Sequence, residues 1–339
     1  MNSAHPRSTS PYVSVIIPAH NEERYIGKCI ESVRKTKWPR EMLELLVVDH
    51  SSTDRTAELA HAAGARVLPI STGKIGSVRN AGLATAKGEF VAYVDGDCSV
   101  PATWLQTAIR LLVSDDSIGA VGGPCLSSAE GTWVERSLAP SATGPGYVRH
   151  VKTIATSSFI ARASLLRHEG GFDEDLVSGE DDDMSNRIRS RGLALLSASD
   201  CHIVHHGYPK TWWNVLKKEI WHGSHHIEVR TEFDLTLILT FLFLTASAAA
   251  PVLIAAALLN PGFKSLSALG ADLVLQFVPP LLFAAKRIRQ SPRDWHMAIP
   301  LLAVGYAYFA GHGFGVLTNL WRRAIARVQR SSTTSGSDY

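Results

Sequence analysis

The sequence predicts an α/β protein with a mostly parallel sheet covered by helices, followed by a membrane region. Three observations carry this expectation. Short apolar runs alternate with helical patterns of about 10–15 residues, the signature of strand–helix–strand units. Polar or acidic residues stand at the ends of three of those runs, at Pro18 to Glu22, at Asp49, and at Asp95 to Asp97. Open parallel sheets bind ligands at those carboxyl ends. From Leu235 onward, long uncharged segments dominate.

Taken in order, Val13-Ser-Val-Ile-Ile-Pro18 is an apolar run that suits a buried strand. After Asn21, Ile26, Ile30 and Val33 recur at helical spacing. Leu43 to Val48 is a second strand that ends at Asp49. Thr53 or Asp54 can cap a helix through Ala63, which Gly64 stops. Ala65 to Ile70 is a third strand, and Gly76 to Ala86 a helix closed by Gly88. Phe90 to Val94 is a fourth strand that ends at Asp95, and Pro101 opens the next helix, because proline suits a first turn. Ala120 to Pro124 reads as a strand, and Ser127 to Val151, rich in Gly, Ser and Pro, as loop. Thr156 to Ala161 returns to the sheet. Glu180-Asp-Asp-Asp183 precedes a helical pattern through Arg191, Ile203 to His206 is a strand end, and Trp212 to His226 is an aromatic, basic helix.

Composition narrows the function. The chain has 339 residues, enough for one large domain plus an appendage, and its net charge of +3 is too small to imply nucleic-acid binding. Cys29, Cys98, Cys125 and Cys201 are scattered, with no CxxC pair, so they read as free thiols rather than a zinc site or disulfide framework. Residues 1–11 lack the apolar core of a signal peptide and read as a disordered lead-in, as does the tail over residues 326–339. Leu235 to Leu259 is a run of 25 residues without a charge, long enough for a bilayer core of about 30 Å. Ser265 to Ala285, interrupted by Asp272 and Pro279-Pro280, and Met297 to Leu320, with His312 and several glycines, are two further candidates. Basic residues follow the second segment (Lys286, Arg287, Arg289, Arg293) and the third (Arg322, Arg323, Arg327, Arg330). The positive-inside rule places both groups in the cytoplasm, which three full spans cannot do. Either the glycine-rich third segment is re-entrant or interfacial, or the last cluster breaks the rule.

Asp95-Gly-Asp97 is the sharpest chemical feature. Two carboxylates one residue apart can serve a hard divalent cation and a ribose beside it; Mg²⁺ and Mn²⁺ pair one or two carboxylates with substrate phosphates. Asp-Gly is also a common turn pair, so the neighbouring segments must decide. Val13-Ser-Val-Ile-Ile-Pro-Ala-His-Asn-Glu22, Leu46-Val-Val-Asp-His-Ser-Ser-Thr-Asp54, Val78-Arg-Asn-Ala-Gly82 and Val94-Asp-Gly-Asp97 follow one another in that order. Together they resemble the family 2 glycosyltransferases, which have the GT-A fold of nucleotide-diphospho-sugar transferases. The resemblance covers roughly residues 12–226 and implies inverting transfer of a sugar from a nucleotide-diphosphate donor.

Carried over by motif, Pro18, Glu22 and Asp49 line the nucleotide pocket, with Asp49 accepting from the base and Asp95 near the ribose. Asp97 binds Mg²⁺ or Mn²⁺, and Arg79 lies near the diphosphate. The resemblance departs from the family at His50, where a second acid is common, which leaves the base open; a UDP-sugar is the first expectation. Thr156-Ser-Ser-Phe-Ile160 and Gly170-Gly-Phe-Asp173 resemble the acceptor-side segment, and Gly179-Glu-Asp-Asp-Asp-Met184 the acidic motif that places the catalytic base at Asp181 and Glu180 on the acceptor side. Among His202, His205 and His206, His205 is the candidate to complete the metal site. Lys217-Lys-Glu-Ile-Trp-His-Gly223 partly resembles the basic-aromatic segment near the acceptor, which gives Trp221, but it lacks the QxxRW motif of processive synthases.

The expected organisation is a GT-A catalytic domain over residues 12–230 and a membrane region over residues 231–325 with two or three apolar helices. The expected protein sits in an inner or plasma membrane with its catalytic domain cytoplasmic, and it acts on a lipid, lipid-linked or surface-glycan acceptor in polysaccharide biosynthesis. The rivals are a nucleotidyltransferase that makes nucleotide-sugars, which needs a glycine-rich phosphate loop where Pro18-Ala-His-Asn-Glu22 stands, and a non-catalytic membrane sugar-nucleotide binder, which leaves Asp181 unexplained.

Overall fold

The computed structural model describes residues 10–140, 144–229, 235–290 and 292–334. The lead-in at residues 1–9, the end of the tail at residues 335–339, and the expected domain boundary near residue 230 lie outside the described residues. Contacts divide the chain into two compact units, one within Met1–Ser128 and Ala142–Gly207, the other within Ala129–Ser141 and Tyr208–Tyr339.

The first unit opens with β1 (Val13–Ala19), α1 (Ile26–Arg34), β2 (Leu43–His50), α2 (Thr56–Ala62), β3 (Arg66–Ile70), α3 (Ile75–Thr85) and β4 (Phe90–Tyr93). It continues with β5 (Cys98–Ser99), α4 (Trp104–Ser114), β6 (Ile118–Gly122) and β7 (Cys125–Ser127). In the second unit, α5 (Trp133–Leu138) follows. Back in the first unit come β8 (Val148–His150), β9 (Phe159–Arg162), α6 (Ala163–His168), α7 (Glu180–Ser190), β10 (Ala194–Ala198) and β11 (Ile203–His205). Eight strands form one sheet in the order β3-β2-β1-β4-β9-β6-β10-β8, and three form a second in the order β5-β11-β7. β1 pairs in parallel with β2 and β4, β2 with β3, and β6 with β10; β9 runs antiparallel between β4 and β6.

All seven residues of β1 are buried, as expected for a central strand with helices on both faces. The period-two alternation sorts its side chains: Val13, Val15 and Ile17 pack with Ile26, Ile30 and Val33 of α1, while Ile16 packs with Val78 and Leu83 of α3 on the other face. Gly82 makes the second packing possible, because a Cβ there would sit 2.4 Å from Ile16 Cγ2.

Two local expectations change, and one alternative is resolved. Ser127 to Val151 is not all loop: α5 starts at a capping box in which Thr132 and Glu135 satisfy each other's backbone N–H groups, and β8 joins the sheet edge. Pro101 does not open α4; its carbonyl accepts from Trp104 N in a turn, and the helix starts there. Asp54 rather than Thr53 receives the first free amide of α2, at 2.9 Å from Thr56 N.

The second unit holds α5 and four longer helices, α8 (Trp212–Val229), α9 (Leu235–Leu259), α10 (Phe263–Gln290) and α11 (Ala298–Thr334). α9 to α11 are each long and apolar enough to cross a membrane. Val134, Val215, Val304 and Ala307 form its buried cluster, which joins α5 and α8 to α11. α11 continues to Thr334, well into the segment expected to be a disordered tail.

Candidate active site

The chain turns sharply at the carboxyl ends of β1 and β2. Asn21 and Ser51 have left-handed backbone angles, φ 56° and 52°, which asparagine tolerates and serine adopts only where the surroundings hold it. Here they do: Asn21 N donates to Ser52 Oγ, and Asn21 Oδ1 accepts from Thr53 N, both at 2.9 Å. The two turns are thereby stitched together beside a cleft of about 350 Å³ that is lined by Pro18, Glu22, Arg79, Asp95, Asp97 and His205, among others. Six of the residues expected at the site from sequence thus converge on one cavity.

Asp97 and His205 meet because of the small sheet. β5 and β11 pair antiparallel with Cys98 opposite His205, and His206 N donates to Asp97 O at 2.9 Å. This register places His205 Nε2 3.4 Å from Asp97 Oδ2. Gly207 admits the carboxylate, since a Cβ at that position would lie 2.0 Å from Asp97 Oδ2. His206 is clamped behind them, 2.5 Å from Ser99 Oγ and stacked on Tyr25. His202 takes another partner: its Nδ1 lies 2.9 Å from Ser199 O.

The donor set fits a divalent cation. One carboxylate oxygen and one imidazole nitrogen face the same space, with Cys98 beside them. Cys98 is not the third ligand: its Sγ donates to Asp97 Oδ1 at 3.5 Å, and burial followed by the charges of Asp95 and Asp97 pushes the thiol far up. A site with two protein donors leaves positions for phosphate oxygens, the usual arrangement for Mg²⁺ and Mn²⁺, and imidazole suits Mn²⁺ better. Glu22, also in the cleft, has its carboxyl pushed up to about 7, first by burial and then by Asp97 and Asp95.

Asp49 ends β2 next to Ala19 of β1 and is buried. Its Oδ2 accepts from Ser52 N at 3.4 Å, while its buried Oδ1 has no partner among the described residues. A buried acceptor without a donor is costly.

Arg79 is where sequence and structure differ in emphasis. Expected beside a diphosphate, it lines the cleft yet is only 4% exposed, and its guanidinium already joins two carboxylates. Nη1 donates to Glu180 Oε1 at 2.5 Å and Nη2 to Asp95 Oδ1 at 3.4 Å. Burial raises the Asp95 carboxyl, and the Arg79 charge opposes that rise. The four acids at the start of α7 therefore separate by partner. Glu180 is held by Arg79, Asp182 accepts from Thr153 Oγ1 at 2.8 Å, and Asp183 pairs with Arg187 at 2.8 Å. Asp181 forms no ion pair among the described residues; its Oδ1 accepts from Asp182 N at 2.9 Å. Burial first, and then Glu180 and Asp182, push its carboxyl up to about 6. Trp221 belongs to α8 in the second unit, where its ring is exposed and packs on His222 and His225.

The Arg79–Glu180 and Ser99–His206 pairs were not visible in sequence, because they join residues roughly a hundred positions apart. The cue available for Arg79 was its place in Val78-Arg-Asn-Ala-Gly82, where the resemblance implies a cation near the diphosphate.

The site thus combines a mostly parallel sheet with acidic strand ends, an Asp-Gly-Asp turn and a histidine paired across a small second sheet. The family model "Glycosyl transferase family 2" matches residues 14–170. Glycosyltransferase AglE of Haloferax volcanii is 31% identical over 233 residues, which is 66% of this chain and 75% of that relative. The chain belongs to glycosyl transferase family 2 and is a glycosyltransferase. The poly(ribitol-phosphate) beta-N-acetylglucosaminyltransferase TarS of Staphylococcus aureus is 30% identical over 196 residues, 54% of this chain but only 34% of TarS. Solved structures share the fold. The mannosyltransferase PcManGT of Pyrobaculum calidifontis, in complex with GDP-Man and Mn²⁺, superposes with a TM-score of 0.62 at 20% identity, over 93% of this chain and 88% of that one. TarS 1–349 of S. aureus, in complex with UDP-GlcNAc, gives 0.50 at 20% identity, over 88% and 90%.

Proposed function

We propose that this glycosyltransferase moves a sugar, with inversion, from a nucleotide-diphosphate sugar to a lipid-linked or surface-glycan acceptor at a membrane, with the cleft on the cytoplasmic side. The observation that carries the reading is the partition of acids between the cleft and the start of α7: Asp97 beside His205, Asp95 and Glu180 on one buried arginine, and Asp181 in no ion pair among the described residues.

Asp49 Oδ1 takes an N–H of the base, which satisfies its buried lone pairs. Uracil and guanine both offer such a donor, and both UDP and GDP donors occur in the structural neighbours, so a UDP-sugar is the first donor to test. Pro18 and Glu22 line the nucleotide wall, and Asp95 faces the ribose. Asp97 and His205 would hold Mn²⁺ or Mg²⁺. The cation, when bound, neutralises charge on the leaving diphosphate. Arg79 positions rather than binds: it fixes Glu180, the first residue of α7, against Asp95 of the nucleotide wall. Asp181 then takes the acceptor hydroxyl's proton as its oxygen attacks the anomeric carbon opposite the leaving nucleotide. A carboxyl raised to about 6 suits this task, since it is ionised at neutral pH yet more basic than an ordinary aspartate.

Asp181→Asn keeps the shape and removes the base. Transfer should fall by about 10²–10⁴-fold while donor binding, read by calorimetry, changes little. A near-normal rate, or a product that retains the donor's anomeric configuration, would reject the assignment.

A further inference from the structure

The three apolar helices of the second unit are not alike. Among residues of their apolar stretches, 22% of α9 and 28% of α10 are buried in protein, against 56% of α11. α9 and α10 turn Ile238, Val252, Ile254, Leu273, Val274 and Leu281 outward, as a lipid-facing hairpin does.

α11 is buried mainly because α8 lies along it. The contacts advance together on both helices: Trp212 Nε1 donates to Ala303 O at 2.8 Å, Glu219 lies 3.7 Å from His312, and Asn319 Nδ2 donates to Ser224 O at 2.6 Å. Glycines bring the backbones together. A Cβ on Gly311 would sit 2.5 Å from Leu216 O, and one on Gly315 2.2 Å from Ile220 O. α8 is not among the helices long and apolar enough to cross a membrane. Its outer stripe is Trp213, Lys217 and Trp221, with Lys218 beside it and the Lys217 ammonium 5.8 Å from the Trp213 ring. If α11 crossed the bilayer, it would carry this stripe of exposed ammonium groups into hydrocarbon, where they are strongly disfavoured.

α11 meets the hairpin differently. Tyr306 and Phe309 both pack on Phe243, Gly313 abuts Leu244, and Tyr306 and Tyr308 reach Phe277 and Phe283 of α10. These contacts involve Phe243 and Leu244 in the first half of α9 and Phe277 to Phe283 in the second half of α10. The contacted stretch of α10, Phe277 to Phe283, ends about one turn before Lys286 and Arg287. Beyond it, Phe314, Leu317, Trp321 and Ile325 form an exposed apolar stripe on α11 flanked by exposed Arg322 and Arg323. Apolar residues with tryptophan on one face and arginine beside them are the composition of a helix lying in a bilayer surface.

We propose that only α9 and α10 cross the membrane, and that α11, with α8 along it, lies in the phosphate-bearing headgroup layer on the side from which α9 enters. Lys217, Lys218, Lys286, Arg289, Arg322 and Arg323 then face the headgroup phosphates of one leaflet, and both basic clusters obey the positive-inside rule.

The test is labelling of single added cysteines with a membrane-impermeant maleimide, using the unaltered full-length chain as blank. Asn260→Cys, in the α9–α10 turn, should label in intact cells. Ala324→Cys should label only after permeabilisation, which also shows that the variant is present. Labelling of Ala324→Cys in intact cells, or failure of Asn260→Cys to label until permeabilisation, would overturn the arrangement. A nitroxide on Leu317→Cys, in vesicles of phosphatidylcholine and phosphatidylglycerol, should report a depth near the headgroups; a depth at the bilayer centre would overturn it too.

Discussion

Asp181 and His205 show how neighbours set the task of a side chain. The Asp181 carboxyl, at about 6, must be ionised to act as base, so kcat/KM should fall about tenfold per unit below pH 6. Burial is the largest cause and Glu180 the next, so Glu180→Gln should move this limb to lower pH; an unmoved limb would remove Asp181 from the role. The same shift acts on stability. The folded chain binds the Asp181 proton more tightly than the unfolded chain, whose value is the ordinary 3.8, so stability falls as pH rises from there through about 6. Asp181→Asn should therefore not lower Tm at pH 7 even as it removes activity, a pattern that simple misfolding does not give. His205 lies 3.4 Å from Asp97 and supplies the one imidazole of the proposed cation site. His205→Gln should raise the Mn²⁺ concentration for half-maximal activity by roughly tenfold or more, and the Mg²⁺ requirement less, because nitrogen matters more to Mn²⁺. Equal shifts for both metals would argue that His205 is not a ligand.

At the scale of elements, Arg79 ties the end of β4 to the start of α7 from its place on α3. Asn80, next to it, donates to Phe172 O and accepts from Phe172 N, both at 2.8 Å, so α3 also fixes the segment that leads into α7. Arg79→Met should cost about 3–5 kcal/mol in denaturant unfolding, because it leaves Glu180 buried without its cation. Adding Glu180→Leu should recover much of that loss without recovering activity; a double variant as unstable as the single would show that the pair is not the source. The parts of this architecture that sequence reveals are local. The strand ends at Pro18, Asp49 and Asp95 were legible because apolar runs stop there, and α7 was legible from its acids and periodicity. The β5–β11 pairing was not, since two- and three-residue strands carry no periodic signal, and it alone brings His205 to Asp97. α5 was legible in principle from Thr132-Trp-Val-Glu135, a capping-box pattern hidden in a stretch whose glycine, serine and proline content reads as loop.

For the whole molecule, the cut between the two compact units is not where hydropathy changes. Composition shifts near residue 230, yet α5 and α8, both before that point, pack with α11 far beyond it. The reason is that α8 is amphipathic. Its inner stripe, Val215, Glu219 and Gly223, is buried, and what buries it is α11, through Gly311, His312 and Gly315. A chain ended at residue 230 would keep every residue of the cleft and lose that cover. Val134 and Val215 would be exposed to water, and Glu219 would lose His312. We expect such a truncation to aggregate or to need detergent in spite of lacking every apolar helix. Replacing Val134 and Val215 by Ser and Thr in the truncated chain should improve its solubility in a sedimentation assay. A truncated chain that is already soluble, monomeric and as heat-resistant as the full one would show that α8 holds its place without α11.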